Sequence, residues 1–155
     1  GAECVECHKE PLAYLIGETG LKEIAPVPDM MSRAVKCNDC HKYNEESLEF
    51  KGVEEYCIEC HNGDYGKLYN AWTKSIKDRL EEFNLRVQLL VGEDVRKIDV
   101  DPDRQEKAVG RVDMDTFLEK SGFAVGLVSR YGTHNFNLSR AILDSLEEEL
   151  GRLKE

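Results

Sequence analysis

Histidine is scarce in this chain, with four among 155 residues, and that scarcity limits every reading of its chemistry. Long apolar runs are missing too. The longest, Leu85 to Gly92, has two polar interruptions and falls far short of the ~20 residues that span a bilayer. There is no polybasic run, and 21 Lys+Arg against 31 Asp+Glu leave a formal charge of −10. Nucleic acid and anionic membrane surfaces are therefore poor partners, and a docking protein should present a basic or mixed patch. No glycine-rich phosphate loop and no zinc-protease motif is present. The chain also opens without a signal-peptide pattern.

The first 61 residues have little apolar periodicity but contain all six cysteines. These form three pairs of one spacing, each followed by histidine: Cys4-Val5-Glu6-Cys7-His8, Cys37-Asn38-Asp39-Cys40-His41 and Cys57-Ile58-Glu59-Cys60-His61. Two intervening residues set both sulfurs beside the vinyl groups of one haem, and the adjacent histidine reaches the iron. This is the c-type haem attachment pattern. Zinc ribbons use Cys-x-x-Cys units in twos, which three units fit badly, and a disulfide framework leaves the repeated histidine unexplained. Three covalent haem c groups are thus expected, with His8, His41 and His61 as proximal ligands. Their propionates would make the surface still more acidic.

Three six-coordinate irons need three further ligands, and His134 is the one remaining histidine. At least two haems must therefore lack a distal histidine from this chain, and identical copies do not change the ratio. Methionine, lysine, the amino terminus or nothing could fill those positions. The methionine candidates are Met30 and Met31, between the first two motifs, and Met114, at the start of a later helix. A thioether ligand would raise the potential relative to histidine; the alternative for each methionine is core packing. For His134 the alternatives are iron ligation, helix capping or simple burial.

The expected fold is mainly α: a haem-organised cytochrome with little regular structure in its N-terminal half and a C-terminal helical hairpin or small bundle. Residues 1–63 form the three-haem segment, with short helical turns broken at Gly17, Gly20, Pro26, Pro28 and Gly52. Twenty-eight residues separate His8 from Cys37 but only fifteen separate His41 from Cys57, so the second and third haems should be neighbours. Residues 64–155 form the helical segment, expected to fold with the first part as one domain. Leu68, Ala71, Trp72, Ile76, Leu80, Phe83, Val87 and Leu90 recur at helical spacing, predicting a helix from Asp64 to Leu90 with Tyr69 and Trp72 near the haems or the next helix. Gly92 to Gly110 reads as a charged connector. A second helix is predicted over Met114–Ser129, with Phe117, Leu118, Val125 and Val128 inward and Asp113 or Asp115 as cap. A third spans Asn137–Lys154, with Leu138, Ala141, Ile142, Leu146, Leu150 and Leu153 inward. Asp99, Asp101 and Asp103 do not make a calcium loop, because Arg104 and Gly110 stand where glycine and glutamate belong.

The run Cys57-Ile58-Glu59-Cys60-His61-Asn62-Gly63-Asp64-Tyr65-Gly66-Lys67-Leu68 before a long helix resembles the C-terminal part of multihaem c-type cytochromes of the cytochrome c3-like group. So does Gly132-Thr133-His134-Asn135 leading into Ala141-Ile142-Leu143. The likeness covers roughly residues 57–155 and implies that His134 is a distal haem ligand. Such relatives usually carry more haems and more histidines, with bis-histidine ligation, so the shortage here fits a module of a larger assembly. Some extracellular multihaem cytochromes polymerise into conductive filaments.

Electron transfer is the expected function, as a shuttle between redox proteins, other multihaem cytochromes among them, or as a unit of a wire or homopolymeric filament. No acid–base constellation points to an enzyme. The alternatives are a reductase of a small nitrogen or sulfur species at an open iron, using a donor such as Lys9, Tyr14, Arg33 or Tyr43, and a haem-based gas or redox sensor. Haem attachment outside the cytoplasm implies an exported protein, periplasmic, cell-surface or extracellular, whose signal was removed before Gly1; Gly1 and Ala2 are equally compatible with a cloning remnant.

Overall fold

The structure, a computed structural model, describes residues 4–50, 53–98 and 108–153, except for the side chains of residues 50, 93–98 and 108–113. The chain is mainly helical. Its first part carries short elements: α1 (Cys4–Cys7), α2 (Lys9–Leu15), a 3-10 turn (Met30–Arg33), α3 (Cys37–Cys40), the strands β1 (Tyr43–Asn44) and β2 (Glu49–Phe50), and α4 (Val53–Cys60). Three long helices follow, α5 (Asp64–Ile98), α6 (Ala108–Tyr131) and α7 (Phe136–Arg152), with a 3-10 turn, Gly132–His134, between the last two.

The first long helix runs past Leu90 to Ile98, and the second begins at Ala108 rather than Met114, so the connector is much shorter than Gly92–Gly110. Apolar periodicity reports the face a helix buries, and helical propensity can carry a helix beyond that face. Glu93, Arg96 and Lys97 are good helix formers with no need of a buried face. Asp113 and Asp115, the expected caps, consequently lie inside α6. The Asp99, Asp101 and Asp103 triplet and Gly52 lie outside the described residues.

The core joins Ile76 and Phe83 of α5, Phe117, Ala124 and Val128 of α6, and Leu138, Ile142, Leu143, Leu146 and Leu150 of α7. Periodicity identified most of these positions. Both Ile142 and Leu143 are buried because α7 packs against α5 on one side and α6 on the other. Arg79 bridges α5 to Asp144 and Glu147 of α7 at 2.7 and 2.9 Å, and Lys120 joins α6 to Glu149 at 2.8 Å.

Tyr14 brings the N-terminal segment into this core. It is 1 % exposed, and its hydroxyl lies 2.7 Å from Ser139 Oγ. Tyr14, a candidate donor to substrate by sequence, is thus a core residue, and burial pushes its hydroxyl pKa up to about 12. Just beyond it, Gly17 has φ +90° and sits so close to the Val27 backbone that a Cβ would lie 2.6 Å from its N and C atoms. Only glycine fits that conformation and that approach.

Candidate functional site

Each cysteine–histidine motif is one helical turn. The backbone N–H of His8 donates to the Cys4 carbonyl, that of His41 to Cys37 and that of His61 to Cys57, each at 2.9 Å. Residues i, i+3 and i+4 of such a turn share a face, which gathers two thiols and an imidazole on one side. In the second motif the Asp39 carboxylate accepts from the Lys36 N–H at 2.7 Å and closes the start of α3. The third motif ends α4, which packs against the start of α5 so tightly that a Cβ on Gly66 would meet Glu54 Cγ at 3.3 Å.

The second and third motifs are adjacent, as their short separation predicts. α3 packs on α4, Lys42 pairs with Glu59, and the Lys42 ammonium lies 4.6 Å over the Tyr56 ring. Burial, followed by the nearby Cys57, Asp39 and Cys60, pushes the Cys40 thiol up, with Lys42 opposing. Burial also pushes up Cys57, against a backbone hydrogen bond that lowers it. Among the described residues no three His, Cys, Asp or Glu side chains converge as a metal cluster, and no two of the six cysteines form a disulfide.

His134 is held where four helices meet. The Gly132–His134 turn touches α2, α5, α6 and α7. Gly132 allows that approach, since a Cβ there would meet Ser139 Oγ at 3.2 Å and both Ile76 Cγ2 and Val128 Cγ1 at 3.3 Å. Ser139 Oγ contacts the carbonyls of Gly132 and Asn135, each at 2.9 Å. Asn135, fully buried, caps α7 by accepting from the Leu138 N–H at 3.0 Å. The capping considered for His134 thus belongs to its neighbour. The Asn135 amide donates in the other direction, to the carbonyls of Tyr14 (3.3 Å), Leu15 (3.4 Å) and Val27 (2.5 Å). One side chain therefore starts the last helix and clasps the N-terminal segment onto it.

The imidazole so presented faces the second motif. The rings of His134 and His41 have centroids 5.8 Å apart and planes 25° apart. Metal–imidazole bonds are about 2.0–2.1 Å long, so the two rings are near enough for His41 and His134 to be candidates for holding one metal. Burial, then the proximity of His41, holds the His134 pKa below its usual value, and the Tyr131 backbone opposes this weakly. No hydrogen bond of good geometry reaches its buried Nδ1. A neutral imidazole with an unsatisfied buried nitrogen suits a metal ligand.

Apolar side chains also lie uncovered near the motifs. Ile58 of α4 is 50 % exposed, and Tyr65, Leu68 and Trp72 form a stripe of three- and four-residue spacing on the first turns of α5. Leu68, Ala71 and Trp72 continue the helical spacing of α5, but the buried core begins only at Ile76. Trp72 stacks on Phe136, two residues beyond His134, with centroids 5.2 Å apart. A large apolar disc tethered at Cys57 and Cys60 would cover such a stripe, so these residues fit a porphyrin.

The three methionines differ in their surroundings. Met30 is 90 % exposed on its 3-10 turn, which Asp29 caps by accepting from the Met31 N–H at 2.8 Å, and Met31 is half-buried. Met114 packs against the core, seventeen residues or about 26 Å of helix before Tyr131. Among the other donors considered, Lys9, Arg33 and Tyr43 are exposed. No protein-family model, curated protein or solved structure matches this chain.

Proposed function

We propose that the chain is a trihaem c-type cytochrome that moves electrons, with His41 and His134 as the axial pair of the haem tethered at Cys37 and Cys40. Bound haem supplies one-electron chemistry at iron. The observation that carries the reading is the approach of those two rings to 5.8 Å, from residues 93 positions apart. An iron with both axial positions filled changes oxidation state without taking a substrate, which suits a carrier better than an enzyme. Cys4/Cys7 and Cys57/Cys60, with His8 and His61, would hold the other two haems, and the adjacency of the second and third motifs suits transfer between them. The acidic surface suits a basic redox partner, and a chain holding three haems could serve as a shuttle or as a unit of a multihaem wire or filament. Haem attachment places it outside the cytoplasm on this reading.

The histidine count favours a second reading for the other two irons. With His134 committed, neither His8 nor His61 has a distal histidine from this chain, so those haems would take methionine, lysine or an exogenous molecule. A small-ligand reductase or sensor would work there.

Carbon monoxide binding to the dithionite-reduced protein tests the assignment. His134→Ala should convert one further haem per chain from refusing carbon monoxide to binding it, with three haems retained by pyridine haemochrome assay. An equal number of reactive haems in both proteins refutes the axial pair. Absence of haem from protein made with full attachment machinery refutes the cytochrome reading altogether.

A further inference from the structure

Between α4 and α5 the chain breaks its helix for three residues, His61 to Gly63, and then restarts. The restart is tightly specified. Asn62 Oδ1 accepts from the Asp64 N–H at 3.1 Å, and the Asn62 carbonyl accepts from the Tyr65 N–H at 3.1 Å. On the other side, the His61 N–H remains tied to the Cys57 carbonyl. This fixes Tyr65 four residues beyond His61 and lays one ring on the other. Their centroids are 4.0 Å apart and their planes 15° apart, the closest ring pair among the described residues. The contact is unlike that of His41 and His134, whose 5.8 Å separation exceeds face-to-face contact.

The geometry points to Tyr65 as a positioning residue that fixes the plane of the His61 imidazole and shields it from water, so setting the spectrum and potential of the third haem. This inference rests on the cytochrome reading. A proximal histidine turns easily about its bond to a metal unless an outer contact holds it, and such contacts tune the metal they orient. Elsewhere that role falls to a hydrogen bond, whereas here a ring face does it, with the phenol edge 41 % exposed. Because the contact is made by the ring, phenylalanine should replace tyrosine and alanine should not. Removing the ring admits water to His61, which stabilises the more highly charged ferric form and lowers the potential.

Electron paramagnetic resonance of the oxidised protein, together with a redox titration, provides the test. In Tyr65→Ala one of three ferric signals should move its largest g value, and one of three reduction steps should fall. The fall corresponds to at most about tenfold in that haem's reduction equilibrium, the ceiling for an aromatic pair. Tyr65→Phe should restore both. Three haems with unchanged signals and potentials in Tyr65→Ala overturn the inference and leave the electron-transfer reading intact. Fewer than three haems in the wild-type protein overturn the trihaem reading on which it stands. Proton contacts between the two rings in the reduced wild-type protein need no variant, and their absence overturns the inference even if Tyr65→Ala fails to fold.

Discussion

Replacing Asn135 separates two tasks that one side chain performs. Asn135→Ala removes the acceptor of the Leu138 N–H, a helix cap worth about 1 kcal/mol. It also removes the donor shared by the carbonyls of Tyr14, Leu15 and Val27, at a side chain with no solvent exposure. Leaving buried carbonyls under-satisfied costs roughly 1–3 kcal/mol. Together these give a loss of roughly 2–4 kcal/mol, or about 5–15 °C in Tm for a chain of this size. Asn135→Asp discriminates between the tasks. Aspartate is as good a cap as asparagine, so if capping were all that mattered the variant would melt like wild type. If the clasp matters, a carboxylate aimed at three carbonyls should destabilise at least as much as alanine. Thermal unfolding followed by circular dichroism reads both variants at one haem content. An aspartate variant melting within about 1 °C of wild type would refute the clasp.

Two further outcomes follow from the N-terminal segment. Gly17→Ala combines a φ of +90° with a Cβ 2.6 Å from the Val27 backbone and should cost roughly 3 kcal/mol or more, whereas Gly20→Ala, at φ +73° with nothing within 4 Å, should cost only about 1 kcal/mol; urea unfolding of the two variants tests the difference. Tyr14 is a buried acid whose folded pKa is raised to about 12 from 10.0, so its contribution is present below pH 10 and is lost as pH rises towards 12. That window should remove roughly 2–3 kcal/mol from wild type, and Tyr14→Phe should flatten this part of the alkaline stability curve; parallel curves for the two proteins would refute it.

The residues that sequence reasoning read well are those whose partners are near in the chain. A Cys-x-x-Cys-His run is one turn long, and its first and last residues bond to each other, so its local shape follows from its own length. The three long helices were legible from apolar spacing because Phe83, Val128 and Leu146 face one core. Their ends were not, because Gly92, the charged residues Glu93, Asp94, Arg96 and Lys97, and Gly110 interrupt that spacing. The hairpin of Tyr43–Asn44 and Glu49–Phe50 was missed for a related reason. Its two-residue strands are too short for alternation, and its turn uses Asn44 Oδ1, accepting from Glu46 and Ser47, and Leu48 at φ +55° in place of glycine. Asn135 could have been read as a cap, since it stands directly before an amphipathic run. Its three carbonyl partners lie 108 to 121 residues away, where local pattern carries no information. The same holds for Tyr14 and Ser139, polar residues in the core that satisfy each other across 125 positions.

These long-range contacts converge on the four residues 132–135, and the convergence bears on the proposed function. Gly132 lets the turn approach α5 and α7, His134 faces His41, and Asn135 joins the last helix to the first segment. On the cytochrome reading, the residue that ligates iron adjoins one that holds the fold together. His41 belongs to the motif segment and His134 to the helical bundle, so an iron held by both would tie the two parts together, most favourably where the fold already brings the rings near each other. Ligation that exists only in the native state adds its free energy to folding. The helical core has its own apolar contacts, but the motif segment has few buried side chains beyond Tyr14 and Tyr56 among the described residues. Haem ligation should therefore stabilise the segment between Cys4 and Cys60 far more than α5–α7. Loss of His134 should loosen the second motif before it melts the bundle.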